Sequence, residues 1–314
     1  MEPDYIEAIV EGAKRLFGLP KDAEMTLEAN PGTVDREKLS AFHLTGVNRL
    51  SLGIQSFSDK MLTRLGRVHT AEEGIEAFNS AREAGFDNIG IDLIHSLPGQ
   101  TYRMWLKELE KAVSLRPEHI SAYGLTVEPG TPFHYMEEAG DLLLPDDEEA
   151  AEMFEITSSF LRNAGYEHYE ISNFALSGRR SRHNQVYWER RDYIGFGAGA
   201  HSFISQPSFG RRWRNTDQPE KYIQSIFAGK VPEVENSTLN KRQAMSEMLF
   251  LGLRMTNGID VEKFKMDFNI PIEDAYPDQL PRLINKGLLE CDGPMLRLSG
   301  KGIILSNQVF INLV

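Results

Sequence analysis

Cysteine is nearly absent. The chain of 314 residues has one, Cys291, which excludes an intramolecular disulfide and is consistent with a reducing compartment. Long apolar runs are missing as well: none approaches the roughly 20 residues that a membrane-spanning helix needs, so no transmembrane segment is expected. The opening MEPDYIEAIVEG is acidic and lacks the basic-then-apolar order of a secretory signal. Positive charge is in short supply, 34 Lys+Arg against 46 Asp+Glu for a formal net charge of −12. That argues against a broad electrostatic draw to nucleic acid or anionic lipid, though it leaves room for a local basic patch. The expectation is a cytoplasmic protein with no nucleic-acid partner.

What is present is an ordinary globular composition, 41% hydrophobic and 25% charged, long enough for one large domain and a smaller one. One phrase recurs: amphipathic helix, glycine, apolar strand, polar residue. VDREKLSAFHLTG precedes VNRLSLGIQSF, HTAEEGIEAFNSAREAG precedes FDNIGIDLIHSLPG, and EEAAEMFEITSSFLRNAG precedes YEHYEISNF. TYRMWLKELEKAVSLRP precedes EHISAYGLTVEPG, with Pro117 in place of the glycine. Gly46, Gly85 and Gly165 suit the residue just past a helix, where φ > 0 is needed. Thr70 with Glu73 forms a capping box. Helix alternating with strand at this spacing predicts parallel strands joined by right-handed crossovers. EMTLEAN fits the series as an earlier strand, and the Gly-rich YIGFGAGAHSFI is a candidate for another. The fold class expected is α/β: a partial (β/α) barrel over residues 1–235. From 236 to 314 the rhythm changes to helices, a hairpin turning near Asp292-Gly293, and a closing helical stretch, as in a winged-helix module. With nine Lys+Arg and nine Asp+Glu over 240–314, that module lacks the basic excess of a DNA reader.

Polar residues punctuate the strand ends. Glu28 follows MTL, Gln55 follows RLSLGI, Asp92 lies within NIGIDLI, and Arg67 sits just past a short helix in LGRVH. With parallel strands Glu28 and Gln55 open onto the same rim, which Asp92 and Arg67 could join, at the end of the sheet where active sites of such folds lie. Two carboxylates, an amide and a guanidinium can hold an amino-acid group and ribose hydroxyls. The alternative is structural: Asp92 caps a turn, and Glu28 ties down the Asn30-Pro31 loop. A second concentration lies between Gly178 and Asn215: eight arginines, no lysine, and Tyr187, Trp188, Tyr193, Phe196, Phe209 and Trp213 interleaved. Arginines with aromatic rings suit single-stranded nucleic acid, or a flat macrocycle with carboxylate side groups. His183, in RHNQVYW, is either a loop histidine held by Asn184 or a carboxylate, or an axial ligand to haem iron. Tyr187 and Trp188 are either packing residues or walls of that site. His201, in GAHS, has small apolar neighbours that suggest a core position.

EANPGT, LSLGIQSF, LGRVHT, IDLIHSLPGQT and HISAYGLTVEPGTPF resemble the radical S-adenosylmethionine enzymes of the oxygen-independent coproporphyrinogen III oxidase group, the HemN type. RHNQVYW and GFGAGAHSF are more similar to its branch of haem chaperones, HemW. The likeness runs from about residue 24 to the C-terminus. It implies that Glu28, Gln55, Arg67 and Asp92 contact S-adenosylmethionine and that Thr126 lines the adenine side. It points the Arg-rich stretch to a porphyrin, with haem held by His183, Asn184, Tyr187 and Trp188 and His183 on the iron, for delivery to an acceptor protein. The family also carries an upstream C-x3-C-x2-C run for a 4Fe-4S cluster, followed by a Gly-Gly-Gly-Thr-Pro segment. Neither occurs in this sequence, and Cys291 cannot replace three thiolates. The expectation is an N-terminally truncated form that does not cleave S-adenosylmethionine alone. The competing functions are oxidative decarboxylation of coproporphyrinogen III and a catalytically inactive interaction protein. The family pattern more often has Tyr or Phe where His95 stands, so His95 is expected to serve as a partly buried aromatic substitute.

Overall fold

The computed structural model describes residues 2–313. The chain divides into two compact units, one up to Ser181 and one from Arg182 on.

The first unit is built on a six-stranded sheet. Helix α1 (Pro3–Phe17) leads to β1 (Thr26–Ala29), α2 (Arg36–Thr45) to β2 (Arg49–Gln55), and the pair α3 (Asp59–Arg64) and α4 (Ala71–Glu83) to β3 (Ile89–His95). Helix α5 (Tyr102–Ser114) leads to β4 (His119–Gly124). Then come α6 (Pro132–Glu138), α7 (Asp147–Asn163), β5 (Glu167–Glu170) and β6 (Asn173–Ala175). Strands β1 to β4 are parallel neighbours in chain order, and the full order is β1-β2-β3-β4-β6-β5. The expected repeat of helix, turn and parallel strand is therefore present through β4.

The local signals account for the helices. Gly46, Gly85 and Gly165 all carry positive φ, and the Thr70–Glu73 capping box starts α4 with both reciprocal bonds made. Leu50, Leu52 and Ile54 of β2, Ile89, Ile91 and Leu93 of β3, and Ile120 and Ala122 of β4 join Leu39, Phe42, Phe78, Trp105, Leu109 and Leu161 from the helices in one apolar core. Trp105 satisfies its buried indole N–H by donating to Thr157 Oγ1 at 2.7 Å, as an aromatic with a polar atom in a core must.

YEHYEISNF departs from the repeat. It folds as a hairpin in which β6 lies antiparallel between β4 and β5, leaving β5 alone in the direction of the series. A two-residue link can turn a chain back but cannot carry a parallel crossover.

The second unit begins with α8 (Arg182–Trp188). Strands β7 (His201–Ile204) and β8 (Arg211–Asn215), helix α9 (Pro219–Phe227) and β9 (Glu233–Thr238) follow. The three strands form an antiparallel sheet, β7-β8-β9. YIGFGAGAHSFI thus supplies a strand, but not to the parallel series: its partner follows after a short link, so the pair closes as a hairpin. His201 is exposed rather than in the core. It stands opposite Arg214, which stands opposite Glu235, at one polar position across the sheet.

Helix α10 (Lys241–Gly252) then leads to β10 (Ile259–Asp260), α11 (Val261–Phe268), α12 (Ile272–Ala275) and α13 (Gln279–Asn285). The hairpin β11 (Leu289–Asp292) and β12 (Met295–Leu298) comes next, then α14 (Gly300–Ile304) and α15 (Ser306–Leu313). The strands form the antiparallel sheet β10-β12-β11, a small wing among helices. The division drawn at residues 235 and 236 falls inside β9, whereas the compact units part at Ser181 and Arg182. No helix among the described residues is long and apolar enough to cross a membrane.

Candidate functional site

Strand side chains alternate between faces. Since Leu50, Leu52 and Ile54 face the helices, Arg49 and Ser51 face the other way. Register carries that polar face across the sheet: Glu28 stands opposite Ser51, Ser51 opposite Gly90, Gly90 opposite His119, and Asp92 opposite Ser121. A Cβ on Gly90 would lie 3.3 Å from Ser51 Oγ and 3.5 Å from both Arg49 Nη2 and His119 Nδ1. The face turned away from the core helices is therefore lined by hydrogen-bonding groups.

Asp92 lies at the middle of this face. Ser51 Oγ is 3.2 Å from each of its carboxylate oxygens. Burial pushes its carboxyl above the usual range, and the charge of Glu28 pushes the same way. Hydrogen bonds from Ser121 and Ser51 and the charge of Arg49 oppose the shift. Glu28 is exposed on β1. Among the described residues, neither carboxylate bonds to a turn: Asp92 is held by serine hydroxyls, and Thr33 rather than Glu28 closes the loop at Asn30.

Gln55 ends β2 with φ of 68° and is buried. Its amide folds over Gly53, where a Cβ would come 2.7 Å from Gln55 Nε2 and 3.1 Å from Asn30 Oδ1. Arg67 is exposed on the loop after α3. His69, two residues on, fastens that loop beside Gln55, its Nε2 lying 3.1 Å from the Ile54 carbonyl oxygen. Thr126 is exposed on the loop beyond the carboxyl end of β4. The structure thus gathers Glu28, Gln55 and Asp92 on one face, with Thr126 on the loop that leaves the carboxyl end of β4 and Arg67 on the loop between α3 and α4.

Arg49, His119 and Tyr123, which are not among the strand-end residues singled out from the sequence, also lie on this face. His119 is buried, with Nε2 2.8 Å from the Tyr169 hydroxyl, and burial holds its imidazole well below the ordinary value. Tyr123 is 41% exposed, and burial followed by the charge of Asp92 raises its phenol. The signal was available in the two-residue alternation of RLSLGIQ and HISAYG, which sets Arg, Ser, His and Tyr against an aliphatic face. His95 is buried rather than partly buried: at the end of β3 it rests its ring 5.3 Å from Trp105, in the aromatic role expected of it, and bonds Ser96 Oγ at 2.9 Å.

RHNQVYW forms α8. Its His183 is exposed, with Nε2 3.0 Å from the Tyr187 hydroxyl and the two rings edge-to-face at 4.9 Å. Asn184 is half-buried on the same helix. Tyr187 meets Tyr193 at 4.7 Å, and Trp188 lies under the Arg254 guanidinium, 4.5 Å from its ring centroid.

The Arg-rich band is not the open basic surface that its composition suggests. Arg190 and Arg212 both donate to Glu247, each at 2.7 Å. Arg211 pairs with Glu233, Arg214 with Glu235, Arg191 with Glu189, Arg179 with Asp87 and Arg180 with Glu167. The antiparallel register sets β8 beside the acidic β9, so the charge is cancelled locally.

Donor chemistry sorts the cofactors that the resemblance implies. A 4Fe-4S cluster does not fit: the one cysteine, Cys291, is exposed in β11. Among the described residues no group of three or more His, Cys, Asp and Glu could hold a metal ion. S-adenosylmethionine fits better, since Glu28 and Asp92 offer acceptors to an ammonium and a diol and the Gln55 amide offers both donor and acceptor.

Residues 1–112 match the Radical SAM superfamily, and residues 239–305 match the HemN C-terminal domain. The heme chaperone HemW of Bacillus subtilis is 39% identical over 311 residues, covering 99% of this chain and 81% of that protein. The Radical S-adenosyl methionine domain-containing protein 1, mitochondrial, of Mus musculus is 34% identical over 319 residues, covering 99% and 72%. The likeness thus extends upstream of residue 24. The solved coproporphyrinogen III oxidase (HemN) of Escherichia coli matches with a TM-score of 0.81 at 21% identity, over all of this chain and 74% of that one, a likeness of fold.

Proposed function

The chain belongs to the HemN/HemW family of the radical S-adenosylmethionine superfamily, and from that premise we propose that it is a cytoplasmic haem chaperone, binding haem at α8 and passing it to an acceptor protein. The observation that carries this reading is α8 itself: an exposed imidazole, His183, stands on a helix with Tyr187 and Trp188. Aromatic rings suit the faces of a porphyrin, and the imidazole suits its iron. Because Nε2 of His183 is engaged by the Tyr187 hydroxyl, ligation through that nitrogen exchanges a hydrogen bond for an iron bond and frees the phenol to turn toward the macrocycle. Asn184, on the same helix, completes the set.

The same proposal assigns S-adenosylmethionine to the polar face of the first unit. Glu28 and Asp92 accept from its ammonium and ribose hydroxyls, Gln55 bonds through its amide, Arg67 grips the carboxylate, and Thr126 lies on the adenine side. In the family a 4Fe-4S cluster supplies the electron that cleaves this cofactor; the donors of this chain do not hold one, and no cleavage step is assigned to it. The oxidase reading needs that cleavage. An anaerobic assay in which this polypeptide converted coproporphyrinogen III to protoporphyrinogen would displace the chaperone reading.

The direct test is a haem titration followed by absorbance. His183→Ala should shift the Soret band and weaken binding by about tenfold or more, the cost of a lost charge-assisted or coordinate contact. A variant that keeps both the full band and the affinity removes His183 from the iron.

A further inference from the structure

We infer that Arg254 binds a carboxylate of the porphyrin held at α8; the inference rests on the haem reading above and adds to it the residue that recognises the side groups of the ligand. The arginines that composition puts forward are already engaged: Arg190 and Arg212 on Glu247, Arg211 on Glu233, Arg214 on Glu235, and Arg191 on Glu189. An arginine that is to take an external anion should have none of its own.

Arg254 answers that description from outside the band. It follows the end of α10, and no carboxylate among the described residues forms an ion pair with it. Its Nε is shielded from solvent and has no acceptor. The guanidinium stacks on Trp188, its carbon 4.5 Å from the ring centroid. The indole Nε1–H of Trp188 is likewise shielded and without an acceptor.

Two neighbouring N–H donors, one of them cationic, therefore lack the same thing. A buried donor without an acceptor is unfavourable unless something else supplies one. Stacking on Trp188 fixes the plane of the guanidinium, and a carboxylate matches its N–H edge in shape and charge. Trp188 lies five residues after His183 on α8, about 7.5 Å along the helix axis at roughly 1.5 Å per residue. Five residues also turn the helix by about 140°, so the two contacts fall on different sides of α8, with the iron at the centre of the macrocycle and the propionate at its edge.

The experiment compares haem with haem dimethyl ester, in which both propionates are masked, on the full chain. The wild-type chain should bind haem about 10- to 100-fold more tightly than the ester, as expected for a charge-assisted bidentate contact. Arg254→Met should lose that preference, keep its affinity for the ester and leave the Soret position unchanged, while Arg254→Lys recovers part of it. A merely structural arginine would affect both ligands alike. Equal loss for haem and ester in Arg254→Met overturns the assignment, and so does a wild-type chain that does not distinguish the two. That second comparison decides even if the variant fails to fold. A wild-type chain with no saturable haem binding overturns the haem reading itself, and with it this assignment.

Discussion

A methyl group on Gly53 would enter the space held by two side chains of the polar face, 2.7 Å from Gln55 Nε2 and 3.1 Å from Asn30 Oδ1. The nearer atom is the end of a flexible side chain, so the fold can accommodate the change by moving Gln55. Gly53→Ala is therefore expected to leave thermal stability within a few degrees of the parent and to weaken S-adenosylmethionine binding by about tenfold, one hydrogen bond's worth. Equilibrium dialysis with labelled cofactor measures this, and unchanged affinity would remove Gln55 from the cofactor. The same scale shows what composition cannot see. Eight arginines in a short stretch read as an open basic surface. For Arg190, Arg211, Arg212 and Arg214 the partners, Glu233, Glu235 and Glu247, lie farther along the chain, and only strand register and the packing of α10 bring them together.

Elements with local causes were the legible ones. Helix α4 is bounded by signals a few residues apart: Thr70 accepts from the Glu73 amide, Glu73 accepts from the Thr70 amide at 2.7 Å, and Gly85 takes φ of 100° past its end. Thr70→Ala should cost about 1 kcal/mol of stability, the usual worth of an N-cap, as a shift of the urea midpoint with unchanged slope. No shift would mean that packing alone sets the start of this helix. The strands β1 to β4 were legible for a related reason, since each intervening helix leaves room for a parallel crossover. The hairpins β5–β6 and β7–β8 were not, because strand direction depends on where the chain turns within an apolar run, and neither YEHYEISNF nor AHSFISQPSFGRRW marks that turn unmistakably. The polar face was half legible. Strand ends pointed to Glu28, Gln55 and Asp92, while Arg49 and His119 at the strand starts passed unnoticed although the same alternation places them.

At the scale of the whole molecule, buried imidazoles make stability depend on pH. Burial lowers His95 and His168 from 6.5 to about 4 and holds His119 well below 6.5. In the unfolded chain these groups take up protons below about pH 6.5, whereas in the fold they stay neutral until far lower. Their contribution is thus complete above the unfolded value and is lost as pH falls from 6.5 toward 4. Asp92 and Glu108 act in the opposite sense. Burial raises both carboxyls, so the fold holds their protons more readily than the unfolded chain and gains from acid over their own range. The net curve is a sum of the two, and one histidine is isolated by replacing it. His95→Phe keeps an aromatic ring against Trp105 and removes the titration. At pH 5, about 1.5 pH units below the unfolded value, one such histidine costs the wild-type fold about 2 kcal/mol, at about 1.36 kcal/mol per unit. The loss of unfolding free energy between pH 7 and pH 5, measured by urea denaturation, should therefore be about 2 kcal/mol smaller in His95→Phe than in the parent. Parallel curves for the two proteins would mean that the imidazole of His95 already meets solvent or gains a proton in the fold, and that the carboxyl end of β3 is more open than its packing indicates.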